Sequence, residues 1–412
     1  MSSSDYESFE TEFFYNLQND TKKCLKTIDK YSKVVENYLN GENLVYTKNF
    51  LNNFNDIIVK PNNYKFKSYK EILNHKLFTS VLAEFRESDV LIKACKICNE
   101  KTIKWLFTMK INFAIQDELG MTALMHAVKH TVLDFAIKKI IKTNGKHIQF
   151  VDKNGNNALF HSAENSFTFR NFLVYKDKFN LNYTNYNNEN LLLYCCRHGK
   201  IKHAHFFDLL CQTVTVKPYH ENTEGKTVAM CLAERFRYNE LKTFKSRYGV
   251  KPNYKSELGK TIVSCVINRY YKFYTRAVLE ENGFGLNNVM FKYAINTFVT
   301  LVKIGCNINE PIDEDGTTMT LILLKLRDIV SYKYLVKNGG KEYDISAVKE
   351  TPQNDKYPGV DISNSRVQKN IKESQQWLKE ELFCALNPMY NNSAIKLFQG
   401  TELVFDILEI VI

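Results

Sequence analysis

The sequence predicts an all-α fold, a repeat solenoid in which pairs of helices stack along the chain. Three observations lead there. First, a short pattern returns at near-constant spacing. It stands at Asp117, Gly120 and Thr122, then at Asp152, Gly155 and Asn157, then at Asn185, Asn188 and Asn190. It comes back at Gly225 and Thr227, at Gly259 and Thr261, and at Asp313, Gly316 and Thr318. From Gly120 to Gly155 is 35 residues, to Asn188 a further 33, to Gly225 37 and to Gly259 34. The last step, 57 residues to Gly316, has room for two units, one of them eroded. Second, glycine, or asparagine as second choice, supplies positive φ at a tight turn. Third, a side-chain oxygen two residues later is placed to cap a helix. An apolar run follows each cap, as at Ala123, Leu124 and Met125 or Ala158, Leu159 and Phe160.

A period near 33 residues with a turn glycine and a following threonine resembles the ankyrin repeat. The resemblance covers residues 88–345 as about seven to eight degenerate units. It implies helix pairs joined by short β-hairpin fingers, helical caps at both ends, and a role in binding another protein. Two departures stand out. The family's proline is replaced by Ala123, Ala158, Leu191, Val228, Ile262 and Met319, and the histidine after leucine by Met125, Phe160 and Leu193. Both weaken the cap network and imply modest stability. His126 and His161 recur one position later, which argues for packing or capping rather than catalysis.

Along the chain, residues 1–87 lack the repeat and read as an N-terminal helical cap or small module. Apolar spacing predicts one helix over 6–39, with Asn40 and Gly41 stopping it. A second helix is expected over 46–58. A third is expected over 68–85, opened by Ser68 and Glu71 at capping-box spacing. The first unit keeps its helices near Val90 and Thr102 but has lost its leading turn. Paired small residues follow in the first helices: Ala94 and Cys95, Ala127 and Val128, Ser162 and Ala163, Cys195 and Cys196. Later pairs are larger, at Leu232 and Ala233, Val266 and Ile267, Leu323 and Leu324, which predicts looser stacking. Second helices are expected around Phe135–Ile141, Arg170, His205, Leu241 and Ala277. The stretch 288–312 is the weakest unit, with helices expected at Phe291 and Phe298. Residues 346–366 carry turn chemistry and predict an exposed linker. Residues 367–412 are a C-terminal helical segment, read as a cap or as an adaptor for other machinery such as a ubiquitin ligase.

Composition bounds the rest. The 412 residues are 44% hydrophobic, enough to fill a core. Net charge is 56 − 45 = +11, with both signs interspersed, which predicts a solvated surface rather than a nucleic-acid footprint. No signal-peptide pattern opens the chain, and the apolar run 403–412 is too short to span a bilayer. The ten cysteines are therefore expected as reduced thiols in a cytoplasmic setting. Heavy use of Asn, Lys, Ile, Tyr and Phe suggests an AT-rich genome, similar to ankyrin proteins of amoeba-infecting giant viruses.

Candidate chemistry is sparse. Cys195, Cys196, His198, His203, His205 and Cys211 offer soft and imidazole ligands, but the repeat already accounts for each position. Cys95 and Cys98 have the spacing of a zinc or redox pair, yet form only one such pair, on a helix. No phosphate loop, triad or carboxylate pair is recognisable, so the chain is expected to be no enzyme and to need no metal or cofactor. An enzyme hidden in residues 1–87 or in the histidine-rich unit is the remaining alternative. The partner surface implied by the resemblance is the concave face together with the finger tips: Glu118, Leu119, Lys153, Asn154, Tyr186, Asn187, Thr223, Glu224, Glu257, Leu258, Glu314 and Asp315.

Overall fold

The computed structural model describes residues 3–40, 44–201, 203–279, 288–344 and 356–386. Among these the fold is all-α, with no strand and one isolated β-bridge between Gln116 and Thr122. Two compact units are present, Met1–Tyr186 and Asn187–Ile412.

Unit 1 opens with six helices: α1 (Ser3–Asn19), α2 (Thr21–Lys30), α3 (Ser32–Leu39), α4 (Leu44–Ile58), α5 (Phe66–Leu73) and α6 (Thr79–Arg86). The single helix expected over 6–39 is thus three. Asp20 breaks the first join by turning its carboxylate onto the Lys22 N–H, and the backbone leaves helical angles at Tyr31. The apolar period survives both corners, which is why spacing alone did not reveal them. The stretch 68–85 is likewise broken. Ser68 lies inside α5 and caps nothing, and His75 caps a 3₁₀ turn over Lys76–Phe78. Phe9, Phe13, Phe50, Phe54, Phe78 and Phe85 are fully buried and form the core of this bundle. Phe13 and Phe50 stand 5.0 Å apart between ring centres.

Three helix pairs follow in unit 1. They are α7 (Val90–Lys96) with α8 (Glu100–Leu106), α9 (Ala123–Ala127) with α10 (Asp134–Lys142), and α11 (Ala158–Ser162) with α12 (Ser166–Phe172). The first helices stack on one another, α7 on α9 and α9 on α11. The six-helix bundle packs against the first pair through α4 on α7, and the Asn99 amide donates to the Val59 carbonyl at 2.8 Å.

Unit 2 carries four more pairs: α13 (Leu191–Arg197) with α14 (Ala204–Thr213), α15 (Val228–Glu234) with α16 (Tyr238–Tyr248), α17 (Ile262–Leu279) with α18 (Asn288–Ile304), and α19 (Met319–Lys325) with α20 (Ile329–Lys337). A last helix, α21, spans Ser365–Leu386. First helices stack in the order α13, α15, α17, α19, and second helices in the order α14, α16, α18, α20. The 57-residue step therefore holds one enlarged pair, not two units. Its helices have 18 and 17 residues, against 7 and 11 in the pair before. Ala277, expected on a second helix, continues α17. The cause is local: where other repeats have a turn, α17 has Tyr270, Tyr274, Ala277 and Val278, all fully buried.

The additional length is covered by α21. The Tyr274 hydroxyl lies 2.9 Å from Ser374 Oγ, Asn370 donates to the Val278 carbonyl, and Gln375 bridges Arg327 O and Val330 N–H. The linker expected to be exposed is not, over its described part. Tyr357 is only 2% exposed, because its ring and hydroxyl have partners on α17. The expected helix end at Asn387 and Pro388, and the expected cap over 393–412, lie outside the described residues.

All six predicted caps form. Side-chain oxygens of Thr122, Asn157, Asn190, Thr227, Thr261 and Thr318 accept from the N–H of Met125, Leu159, Leu193, Met230, Ser264 and Leu321. The turn residues before them, Gly120, Gly155, Asn188, Gly225, Gly259 and Gly316, all have positive φ. Two of these positions differ in crowding. A Cβ on Gly155 would meet Tyr186 at 2.7 Å, whereas one on Gly316 meets nothing within 4 Å. Gly316→Ala should cost about 1 kcal/mol, from the left-handed backbone alone. Gly155→Ala should cost about 2–4 kcal/mol, because overlap adds to that strain. Urea unfolding of the two variants checks this, and equal losses would refute the role given to the Tyr186 contact.

Candidate functional site

Each finger is built from one buried polar side chain at its base. Asp117 Oδ1 accepts from the N–H of Leu119 and Met121, at 3.0 and 2.9 Å. Asp152 Oδ1 does the same for Asn154 and Asn156, and Asn222 for Glu224 and Lys226. Ser256 Oγ accepts from Lys260, and Asp313 Oδ1 from Thr317. One backbone bond then closes the finger, as from Asp117 N–H to Met121 O. With so few residues between base and cap there is no length for a β-ladder, so the fingers are turns rather than hairpin strands.

Neighbouring fingers are tied by single backbone bonds. Lys153 N–H donates to Leu119 O and Tyr186 N–H to Asn154 O in unit 1, and Thr223 N–H donates to Asn187 O in unit 2. Backbone at the tips is therefore fixed while most tip side chains point into solvent. Leu119 is 61% exposed, Tyr186 67% and Leu258 62%. Glu118, Lys153, Asn154, Thr223, Glu257, Glu314 and Asp315 are exposed as well. Asn187 is half-buried. Glu224 is half-buried too, in ion pairs with Arg197 and Lys226, so part of its chemistry is spent inside the protein.

Sequence reasoning named the tips but missed a second row. The residue seven positions after each cap ends or adjoins the first turns of the first helix: Lys129, Glu164, Arg197, Glu234, Asn268 and Lys325. All six are half-buried. In unit 1, Lys129 pairs with Glu164 of the next repeat at 3.7 Å. In unit 2, Arg197 pairs with Glu189 and Glu224, and Glu234 with Lys226. A fixed seven-residue offset from the cap, interrupting an apolar helix with a polar residue, was the available signal. The bases Asn222 and Ser256 were also missed, since neither is the aspartate that marks the clearer copies.

The recurrent histidines join finger to helix. His126 Nε2 lies 3.0 Å from Asp117 Oδ2, and His161 Nε2 lies 3.0 Å from Asp152 Oδ2. Their surroundings differ. Burial pulls the His126 imidazole below its usual value, and Lys96 and Lys129 pull the same way, outweighing the opposing hydrogen bond to Asp117. Burial acts on Asp117 in the raising direction, but Lys96, the Met121 N–H and His126 bring its carboxyl to about 2. Burial also pulls His161 down, yet hydrogen bonds to Asp152 and Glu164 outweigh it and the net shift is upward. Burial raises Asp152, and its bonds from His161, Asn156 and Asn154 lower it on balance.

The cysteines are structural in their setting. Cys195, Cys196, Cys211 and Cys95 are buried, and burial raises each thiol. His198 is exposed beside Glu189, and His203 precedes α14 without a capping bond. Among the described residues, no three His, Cys, Asp or Glu side chains converge to hold a metal ion. No described helix is long and apolar enough to cross a membrane.

The family described as ankyrin repeats, in three copies, matches residues 91–185. No curated protein matches the chain. Two solved structures are similar. One is described as the predatory endopeptidase Bd0816 from Bdellovibrio bacteriovorus in complex with the immunity protein Bd3460. It is 19% identical, with 45% of this chain and 94% of that chain covered, at a TM-score of 0.36. The other is the ankyrin repeat domain of Bcl-3, described as a member of the IkappaB protein family. It is 14% identical, with 58% of this chain and 92% of that chain covered, at a TM-score of 0.37.

The two histidine locks have opposite pH signatures. His161 has a raised folded pKa, so its contribution is complete below about 6.5 and is lost as pH rises through the folded value. His126 has a lowered one, so its contribution is complete above about 6.5 and is lost as pH falls toward the folded value. NMR titration should place His161 above the free imidazole value and His126 below it, and Glu164→Gln should lower His161 without moving His126. An order in which His126 titrates above His161 would contradict the assignment.

Proposed function

We propose that this chain, an ankyrin-repeat protein over residues 91–185, is a binding scaffold without catalysis. Its partner is another protein, engaged through the finger tips and the first-helix face. One observation carries this reading: the tips combine a fixed backbone with exposed apolar side chains. Asp117 and Asp152 hold the backbone through two N–H groups each, and the next finger holds it again. Leu119, Tyr186 and Leu258 then stand in water, where the fold gains nothing from them. Rigid backbone means little conformational entropy is lost on binding. Isolated large apolar side chains on such a frame suit contact with a protein surface.

The remaining tip residues, Glu118, Lys153, Asn154, Asn187, Thr223, Glu224, Glu257, Glu314 and Asp315, form the polar surround of this reading. Residues 1–87 serve as the cap of unit 1 in the same reading, supported by the packing of α4 on α7. The expected partner is neither nucleic acid nor membrane, and a cytoplasmic setting suits the free thiols.

The test is affinity purification from cells of the source organism, followed by reconstitution with the purified candidate. Leu119→Asp, Tyr186→Asp and Leu258→Asp combined should weaken the reconstituted complex at least about a hundredfold if these are anchors. The folded fraction should stay unchanged, because all three side chains are exposed. Binding that survives the triple variant would remove the tips from the interface. A turnover reaction that survives purification would end the non-catalytic reading.

A further inference from the structure

The row seven residues after each cap is satisfied in two ways. At Lys129, Glu164, Arg197 and Glu234 the printed partners lie within the repeats themselves. At Asn268 and Lys325, in two consecutive repeats of unit 2, a partner comes from a distant stretch, residues 356–364. The Tyr357 hydroxyl donates to Asn268 Oδ1, and the Val360 N–H donates to the Lys325 carbonyl at 3.2 Å. Between them, the Tyr271 hydroxyl donates to the Pro358 carbonyl at 2.9 Å, and the Tyr271 and Tyr357 rings meet edge to face at 5.2 Å.

This stretch has the make-up of a bound peptide rather than of a core element. It contains neither helix nor strand. One side chain, Tyr357, is buried, while Pro358, Asp361, Ile362, Ser363 and Asn364 are exposed. Its bonds to the first-helix face use a hydroxyl, a backbone carbonyl and a backbone N–H. Those are groups any peptide can present. The contrast with α21, which follows directly, is sharp: α21 buries Val367, Leu378 and Leu382 and covers the length of α17 and α18. Lifting residues 356–364 would uncover Asn268, Tyr271 and the end of α19, but not the hydrophobic core.

We propose that residues 356–364 are an internal peptide ligand. They cover the first-helix face at Asn268, Tyr271 and Lys325, and that face accepts in their place an extended peptide bearing a tyrosine followed by proline. The tyrosine supplies the ring against Tyr271 and the hydroxyl for Asn268. The proline supplies a carbonyl for Tyr271 and no N–H that would need a partner. Because the ligand is tethered to α21, it competes at an effective concentration in the millimolar range. A free peptide therefore enters only when the internal one is weakened or outcompeted. This goes beyond the finger-tip reading and does not rest on it, since it concerns a different surface and needs no external partner to test.

The test uses the full chain and a fluorescently labelled synthetic peptide with the sequence of residues 355–365. Tyr357→Ala, which disables the internal ligand, should bind the labelled peptide at least about tenfold more tightly than the unaltered chain, as release from a millimolar competitor requires. Adding Asn268→Ala and Tyr271→Ala should remove that gain. A single variant that binds no better than the unaltered chain overturns the proposal, and so does a triple variant that binds as well as the single one. If Tyr357→Ala does not fold, hydrogen exchange of the unaltered chain decides instead. The Val360 amide should exchange at least about a hundredfold faster than the Tyr270 amide, as local release without unfolding demands. Equal rates would make the stretch an integral part of the core and overturn the proposal.

Discussion

A single oxygen at the base of each finger sets the conditions for everything after it. Asp117, Asp152, Asn222, Ser256 and Asp313 accept N–H groups from residues two and four positions on, or from one of these. Those N–H groups belong to a turn that has to enter the left-handed region at its glycine. Left without an acceptor and partly buried, each would cost about 1–3 kcal/mol. Once the turn is closed, the residue after it arrives at the helix entrance with extended backbone, and its side chain caps the first helix. In two copies the second carboxylate oxygen reaches on to a histidine of that helix. Finger geometry and helix start are thus one interaction, and stacking adds repeats to a unit already shaped.

Unit 2 shows what happens when a repeat outgrows this plan. Helix α17 runs on past the usual turn because Tyr270 and Tyr274 are apolar enough to be buried there. Each brings a hydroxyl that must then be satisfied. Tyr270 donates to Asp328 Oδ2 at 2.7 Å, and Tyr274 meets Ser374. Asp328 is itself the cap of α20, accepting from the Ser331 N–H, and burial raises its carboxyl. The enlarged pair, the neighbouring repeat and α21 are therefore joined by polar contacts inside an otherwise apolar packing. Such contacts discriminate between registers more sharply than apolar surfaces do, because a slip would strand buried hydroxyls.

The legibility of this chain follows from the range of the interactions involved. Turn and cap act within a few residues, so Gly120, Thr122 and their copies were readable even with the family's proline and histidine gone. Asn222 and Ser256 do the same work as Asp117, but three residue types share that role, which blurred the pattern. The breaks at Asp20 and Asn74 were hidden because apolar spacing records burial and not corners. The enlarged pair was misread as an eroded unit, since its identity depends on α21, more than eighty residues away. Tyr357 was read as exposed for the same reason: Pro358 and Gly359 announce a turn, and nothing local announces Asn268. Of the expected tips, those that make no internal contact could be named from their position alone, whereas the inward pull on Glu224 depends on Arg197, one repeat earlier.

The division between what folds the protein and what is left over to act is sharpest at the tips. In a compact core, a side chain that contributes to binding also contributes to packing, and change in one disturbs the other. Here the finger backbone is held by the buried base and by the adjacent finger, so Leu119, Tyr186 and Leu258 add little to the fold and are free to differ. The first-helix face is organised differently. Its polar row is engaged throughout, by ion pairs in most repeats and by residues 356–364 at the last two positions, so any ligand there must displace something already bound. Contact at the tips costs no such displacement, whereas contact along the row is a competition. A partner that uses both surfaces would therefore meet the tips first and gain the row only where its own peptide outcompetes the tether.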